Sequence, residues 1–257
     1  MMKIKSASLL AVITAIGVVS LSAQPGLMGG MGSASSPNFG GSMSKLFGDN
    51  KSFSADLEIH AKDANTGDTT LSGKLAFDEG KSRFEMDMTK MRNSQMPPQA
   101  VEQMKMMGMD VMLAISRPDK NVNYLIYPSL KAYVETPSKE SKNSESGKIE
   151  TTDLGKETVA GHLTVKKKVV VTDEQGGKQE FTVWNATDLK SFPIKLETQQ
   201  QGMPVTMTFK NVKLEKPDAK QFDVTGEFKK YDNMMSLMQE EMMKRMGGGT
   251  GFPPARR

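Results

Sequence analysis

The sequence predicts a mainly β fold: one antiparallel sheet of about ten strands, with a short Met-rich helix and a C-terminal amphipathic helix. Three observations carry this. From Ser52 to Ala61, apolar Phe53, Ala55, Leu57, Ile59 and Ala61 alternate with Ser54, Asp56, Glu58 and His60, the period-two mark of a sheet with one dry face. Between Asp110 and Thr136, three short runs rich in β-branched and aromatic residues are punctuated by Arg117-Pro118-Asp119-Lys120 and Pro128-Ser129, the pattern of a three-stranded meander. Helical periodicity is confined to two Met-loaded stretches.

The elements follow in order. Lys45 to Asp49 reads as a helical turn. After the first strand, Asn65-Thr66-Gly67-Asp68 turns the chain, and Thr69 to Phe77 continues the alternation with Leu71, Leu75 and Phe77. Asp78-Glu79-Gly80 turns it again, and Ser82 to Met88 places Phe84, Met86 and Met88 on one side. Pro97-Pro98 suits the first turn of a helix, PQAVEQMKMM has helical propensity, and Gly108 ends it. In the meander that follows, the middle run is apolar on both sides, with Val122, Tyr124 and Ile126 on one and Leu125 and Tyr127 on the other. Such a strand belongs inside a sheet covered on both faces. Pro137 to Asp153 is polar and nearly free of apolar residues, so a mobile insertion is expected there. The sheet resumes with His162 to Thr172, Gln179 to Ala186, Phe192 to Thr198 and Met203 to Leu214. In the second of these, Phe181 and Val183 lie opposite Trp184. All ten strands are expected to be antiparallel, and a sheet that large curls. From Tyr231 to Met246 a helical wheel places Met234, Met235, Met238 and Met242 on one face.

The ends read differently. Lys3 and Lys5 precede an apolar core from Ala7 to Leu21, followed by small Ser22 and Ala23, so residues 1–23 read as a signal peptide. The apolar run is shorter than the roughly 20 residues a membrane span needs. A Gly/Ser-rich leader is expected over residues 24–50 and a disordered basic tail over 247–257. Without cysteine there is no lipid attachment site, disulfide or thiol chemistry. A soluble, exported, periplasmic protein follows as the expectation, with the main domain over residues 51–230. The net charge of +4, in a chain that is 25% charged and 37% hydrophobic, is too small and too dispersed for nucleic acid.

Four phrases, in this order, resemble the LolA/LolB-like periplasmic lipoprotein-carrier superfamily, and most nearly a domain-of-unknown-function family within it. They are RPDKNVNYLIYP with KAYVE, LGKETVAGHLTVKK, VWNATDLKSFPIKLE and FKNVKLEKPDAKQFDVTGEFKK, running from Arg117 to Lys230, and the resemblance is read over the domain from Phe53 to Lys230. The resemblance implies a curved half-barrel around a hydrophobic cavity, with helices over its opening. It also implies a role in carrying or sensing acyl chains or lipoproteins. The Met-rich C-terminal helix departs from the carrier proper. The nearest positions to that carrier's buried arginine are Arg83 and Arg117.

Catalytic chemistry finds little purchase. His60 and His162 have no local partner that suggests a triad, and the glycine clusters lack a strand-to-helix frame for phosphate. No enzyme activity and no cofactor are expected. Methionine, with 22 residues, is the compositional anomaly. Thioethers adapt to varied apolar ligands, which suits a cavity or its lid. They are also soft Cu(I) ligands, and Met86-x-Met88-x-x-Met91 and Met104-x-Met106-Met107-x-Met109 have ligand-like spacing. Adaptable core packing is the simplest alternative. Strand phase nominates Leu57, Ile59, Leu75, Phe84, Met86, Tyr124, Ile126 and Trp184 as lining a ligand cavity. Met234, Met235, Met238 and Met242 are nominated as a lid or partner helix. The expected partner is a lipid or acylated protein, with an envelope protein or membrane surface as alternatives.

Overall fold

The computed structural model describes residues 39, 41–63, 67–93, 97–138, 148–172, 176–200 and 202–245. The expected signal peptide, the start of the leader and the basic tail lie outside these residues. So do residues 139–147 of the expected insertion.

The strands are β1 (Ser52–Asp63), β2 (Gly67–Asp78), β3 (Lys81–Asp87), β4 (Arg92–Asn93), β5 (Val111–Arg117), β6 (Val122–Tyr127), β7 (Ala132–Pro137), β8 (Lys148–Val159), β9 (His162–Thr172), β10 (Lys178–Ala186), β11 (Phe192–Gln200), β12 (Met203–Lys213) and β13 (Lys229–Tyr231). The helices are α1 (Gly41–Ser44), α2 (Pro98–Met106) and α3 (Met234–Arg245). The strands form one open sheet in the order β13-β7-β6-β5-β3-β2-β1-β12-β11-β10-β9-β8, with β4 pairing β2 beside that path. It is a curved half-barrel that does not close.

Three expectations are corrected. Twelve strands, not ten, follow one another in the path. Of the two extra, β8 takes in Lys148 to Asp153, the far end of the expected mobile insertion. Every β8 residue except Val159 is exposed, so the strand rests on its backbone ladder with β9 and left no hydrophobic period to read. The other, β13, pairs with β7 in parallel, not antiparallel. The segment from Leu214 to Phe228 carries the chain from β12, in the middle of the sheet, to the β7 edge, where it arrives running in the β7 direction. Third, Phe39, Met43, Leu46 and Phe47, within the expected flexible leader, are buried in the main core.

Local chemistry explains the connections. Glu79 and Gly80 both adopt positive φ, 49° and 87°, the primed turn that matches the twist of the hairpin joining β2 to β3. Two Pro-led 3-10 turns, Pro118–Lys120 and Pro128–Leu130, join β5 to β6 and β6 to β7, each closed by a left-handed residue, Asn121 and Lys131. Proline presets the first φ and leaves no backbone donor stranded. Helix α2 begins at Pro98 and stops where Gly108 takes φ +70°, as its sequence predicts.

The inner face holds the main core, to which β1, β2, β3, β5, β9, β10, β11 and β12 all contribute. At one end five phenylalanines form a knot. Phe47 packs on Phe53, Phe77, Phe192 and Phe209, and Phe53 packs in turn on Phe77 and Phe192. The outer face carries a smaller core of Ala76, Ile115, Ile126 and Phe222 under the connection from β12 to β13. Arg117 fastens that connection. Its guanidinium donates to both oxygens of Asp119, to Asp223 and to the Phe222 carbonyl.

Candidate functional site

The inner face is built by strand register. Leu57 of β1 stands opposite Gly73 of β2, and Gly73 opposite Met86 of β3. Ala55, Leu75, Phe84, Ala114 and Leu125 form the next row across β1, β2, β3, β5 and β6. Gly73 is required by this packing: a Cβ there would lie 2.7 and 2.9 Å from the Phe84 ring and inside contact distance of the Glu85 carbonyl oxygen. The ring of Phe84 thus fills the dip that the glycine leaves.

Of the eight nominated lining residues, five share this face. Leu57, Leu75, Phe84 and Met86 are each 1% exposed, and Ile59 packs on the same cluster. At that exposure their neighbours are the chain's own atoms. Phe39 meets Phe84 edge to face at 5.9 Å, and Met43, Leu46, Phe47 and Met104 complete the cover.

The other three are on the outer face. Tyr124 and Ile126 pair with Ile115 and Leu113 and belong to the core around Phe222. Trp184 points away from Val183 and lies between the ammonium groups of Lys166 and Lys195, 4.9 and 4.3 Å from its ring. Its indole N–H donates to Glu157, and that bond, with help from Lys166, holds the Glu157 carboxyl below its usual range. Trp184 is therefore the centre of an outer-surface cation–π stack.

Helix α3 covers the β7 end of the sheet. Leu237, fully buried, is its anchor, with Met234 and Met238 beside it against Tyr127, Ala132, Val134 and Tyr231. Met235 and Met242, nominated for the same face, are 66% and 61% exposed, and Met243 is 73% exposed. Leu237 lay within the amphipathic pattern but was obscured by the methionines around it.

The methionines form a seam between the two inner clusters. Met86, Met88, Met91 and Met104 belong to the main core, Met107 and Met109 to the α3 cluster, and Met112 packs on both. The Tyr127 hydroxyl donates to the Met112 sulfur at 3.4 Å. Burial pushes the Tyr127 phenol well above its ordinary pKa, so it remains a neutral donor.

Both histidines have carboxylate neighbours. His162 Nδ1 lies 2.7 Å from Asp188 on the surface, and His60 lies 3.9 Å from Asp68. Arg83 pairs with Glu85, and Arg83, like Arg117, projects from the outer side of its strand. Among the described residues no group of three His, Cys, Asp or Glu could hold a metal, and no helix is long and apolar enough to cross a membrane.

Neither a protein-family model nor a curated protein matches the sequence. Solved structures do. The chain is similar to a LolA superfamily protein from Nitrosomonas europaea at 10% identity, over 70% of this chain and 93% of that one, with a TM-score of 0.34. It is similar to the lipoprotein LppX of Mycobacterium tuberculosis at 8% identity, over 62% and 85%, with a TM-score of 0.34. It is also similar to MucB, seen in complex with MucA(peri), at 12% identity, over 72% and 60%, with a TM-score of 0.35.

Proposed function

We propose that this chain is a non-catalytic, exported binding protein of the bacterial envelope that seats one acyl chain, from a lipid or an acylated protein, against the inner face of its half-barrel. The reading rests on one observation: an apolar inner face, in register across β1, β2, β3 and β5, is packed, among the described residues, by short separate pieces and not by a second sheet. Such pieces can part without breaking a strand ladder. About ten methylenes buried there would contribute roughly 8 kcal/mol at about 0.8 each. Association costs at least about 4 kcal/mol, so apolar contact alone suffices for useful affinity. The candidate seat is Leu57, Ile59, Leu75, Phe84 and Met86. The signal-like N-terminus supports export.

Native mass spectrometry of the protein purified from the periplasm tests this, together with titration by a fluorescent fatty acid. Bound acyl species and saturable, competed binding are expected. Their joint absence would overturn the reading.

A second reading, a module that docks another envelope protein, is favoured by the exposed Met235, Met242 and Met243 of α3. Under that reading, replacing the three with Ser abolishes capture of the partner and leaves acyl binding untouched. The Cu(I) alternative rests on the thioethers of Met86, Met88, Met91 and Met104, which all belong to the main core. Failure to compete with a Cu(I) chelator under reducing conditions removes it.

A further inference from the structure

One row of the inner face changes character part-way across. Phe53, Phe77, Ser82, Ser116, Asn123 and Thr136 stand opposite one another in turn on β1, β2, β3, β5, β6 and β7. The first two belong to the aromatic knot, and the last four are three hydroxyls and an amide. The next row along the same four strands is apolar, with Phe84, Ala114, Leu125 and Val134 in register. It lies about 7 Å away, the rise of two strand residues.

A polar strand end is ordinarily a wet one, and Thr136 is exposed. The β3 end of the row is dry. Ser82 is 4% exposed, and the Ser116 hydroxyl is buried with no hydrogen-bond partner. An unpaired buried hydroxyl destabilises a fold, and alanine would fill the position without that cost. The cover also thins here. Leu57, Leu75, Phe84 and Met86 are closed off, whereas Leu125 and Asn123 are only partly buried. Every inward position of β3, β5, β6 and β7 is uncharged.

We propose that Ser82, Ser116, Asn123 and Thr136 are a ledge for the uncharged head of the acyl ligand, taking the carbonyl of an ester or amide and the hydroxyl or N–H beside it. This rests on the acyl-binding reading above and adds which end of the ligand lies where and what kind of head it carries. The hydrocarbon runs along the apolar row from Leu125 toward Phe84, and the first carbonyl falls on Ser116 and Asn123. The Ser116 hydroxyl gains the partner it lacks. A carboxylate or phosphate head would have to shed water beside strands that offer no cation, and it is disfavoured for that reason.

The test uses the full mature chain with diphenylhexatriene as fluorescent probe, at pH 8. The competitors share one chain length: monolauroylglycerol, N-lauroylglycinamide, laurate and dodecane. In the wild type the two neutral heads should displace the probe more strongly than laurate or dodecane, by about two- to tenfold for each hydrogen bond made. Stronger displacement by the glycerol ester assigns the head to a lipid, and by the amide to an acylated protein. Either order supports the ledge. In the double variant Ser116→Ala, Asn123→Ala, that preference should vanish while dodecane competes as before. Ser116→Ala alone should leave the urea midpoint unchanged or raised, because no bond within the fold is lost. A lowered midpoint, a preference that survives the double substitution, or laurate equal to the ester overturns the ledge and leaves acyl binding standing. Absence of probe binding in wild type and variant alike overturns both.

Discussion

Phe47→Ala is the most direct test of whether the N-terminal segment belongs to the folded core. The Phe47 ring lies 4.7, 5.3, 5.9 and 5.9 Å from those of Phe53, Phe77, Phe192 and Phe209. It joins β1, β2, β11 and β12 at one end of the inner face. Truncating a buried phenylalanine removes its transfer energy and leaves a cavity, at a cost of about 3–5 kcal/mol. Four aromatic neighbours that cannot easily collapse into the gap place this site toward the upper end of that range. For a domain of this size each kcal/mol lowers Tm by about 2–4 °C, so a fall of roughly 6–20 °C is expected. Urea unfolding followed by circular dichroism should show a matching fall in midpoint with an unchanged slope. Phe47→Leu, which keeps most of the volume, should cost less than about 1.5 kcal/mol. A Phe47→Ala protein within about 1 kcal/mol of wild type would mean that the segment is a loose leader after all.

Other outcomes are expected on the same reasoning. Gly73→Ala forces a methyl into the Phe84 ring and the Glu85 carbonyl, so a loss of about 1–3 kcal/mol and a local loosening between β2 and β3, read by hydrogen exchange, should follow. Asn50→Ala strips the Phe47 and Lys190 carbonyls of a buried donor and should cost about 1–3 kcal/mol by urea denaturation. The outer connection should be acid-labile. The Arg117 hydrogen bond lowers the Asp119 carboxyl, and the Lys120 hydrogen bond, with the Arg117 charge, lowers Asp223. Both carboxylates therefore stabilise fully above about pH 4 and progressively less as pH falls through their lowered values. Arg117→Met should cost about 1.5–3 kcal/mol at pH 7. It should also flatten the decline in urea midpoint between about pH 4 and 2, and an unchanged decline would place the acid sensitivity elsewhere. Asp78 is a candidate for that remainder. Burial would raise its carboxyl, but hydrogen bonds from Lys81 and Ser52 outweigh this and hold it low.

How much could be read in advance depended on whether one face of an element was wet. β1 alternates strictly, which puts Leu57 and Ile59 on one face, and the hairpins carry that phase to Leu75, Phe84 and Met86. β6 is apolar on both sides, so its own residues give no phase. The pairing of Ala114 with Leu125 turns Leu125 inward and sends Tyr124 and Ile126 outward. Trp184 was nominated by strand phase, yet its neighbours Lys166 and Lys195 sit on flanking strands, and their approach depends on register that one strand cannot encode. β8 is held by backbone pairing and by surface ion pairs such as Lys166–Glu157, so no hydrophobic signal existed. The buried N-terminal residues did leave one. Their i, i+4, i+7, i+8 spacing was present but diluted by glycine and serine.

The order of strands has a consequence for how the chain reaches this state. From β1 to β7, with β4 and α2 lying in the longer connection between β3 and β5, and again from β8 to β12 through short turns, strands pair with near neighbours in the chain. Among the strand ladders of the described residues, β1 against β12, with partners such as Ser54 and Lys213, and the β13 edge join distant parts. Hairpins of this kind form in microseconds, whereas contacts between remote segments must first close a long loop. Two meanders therefore assemble early and the seam between them zips late. Substitutions inside either meander should slow refolding, and those along the seam of β1 and β12 should chiefly speed unfolding.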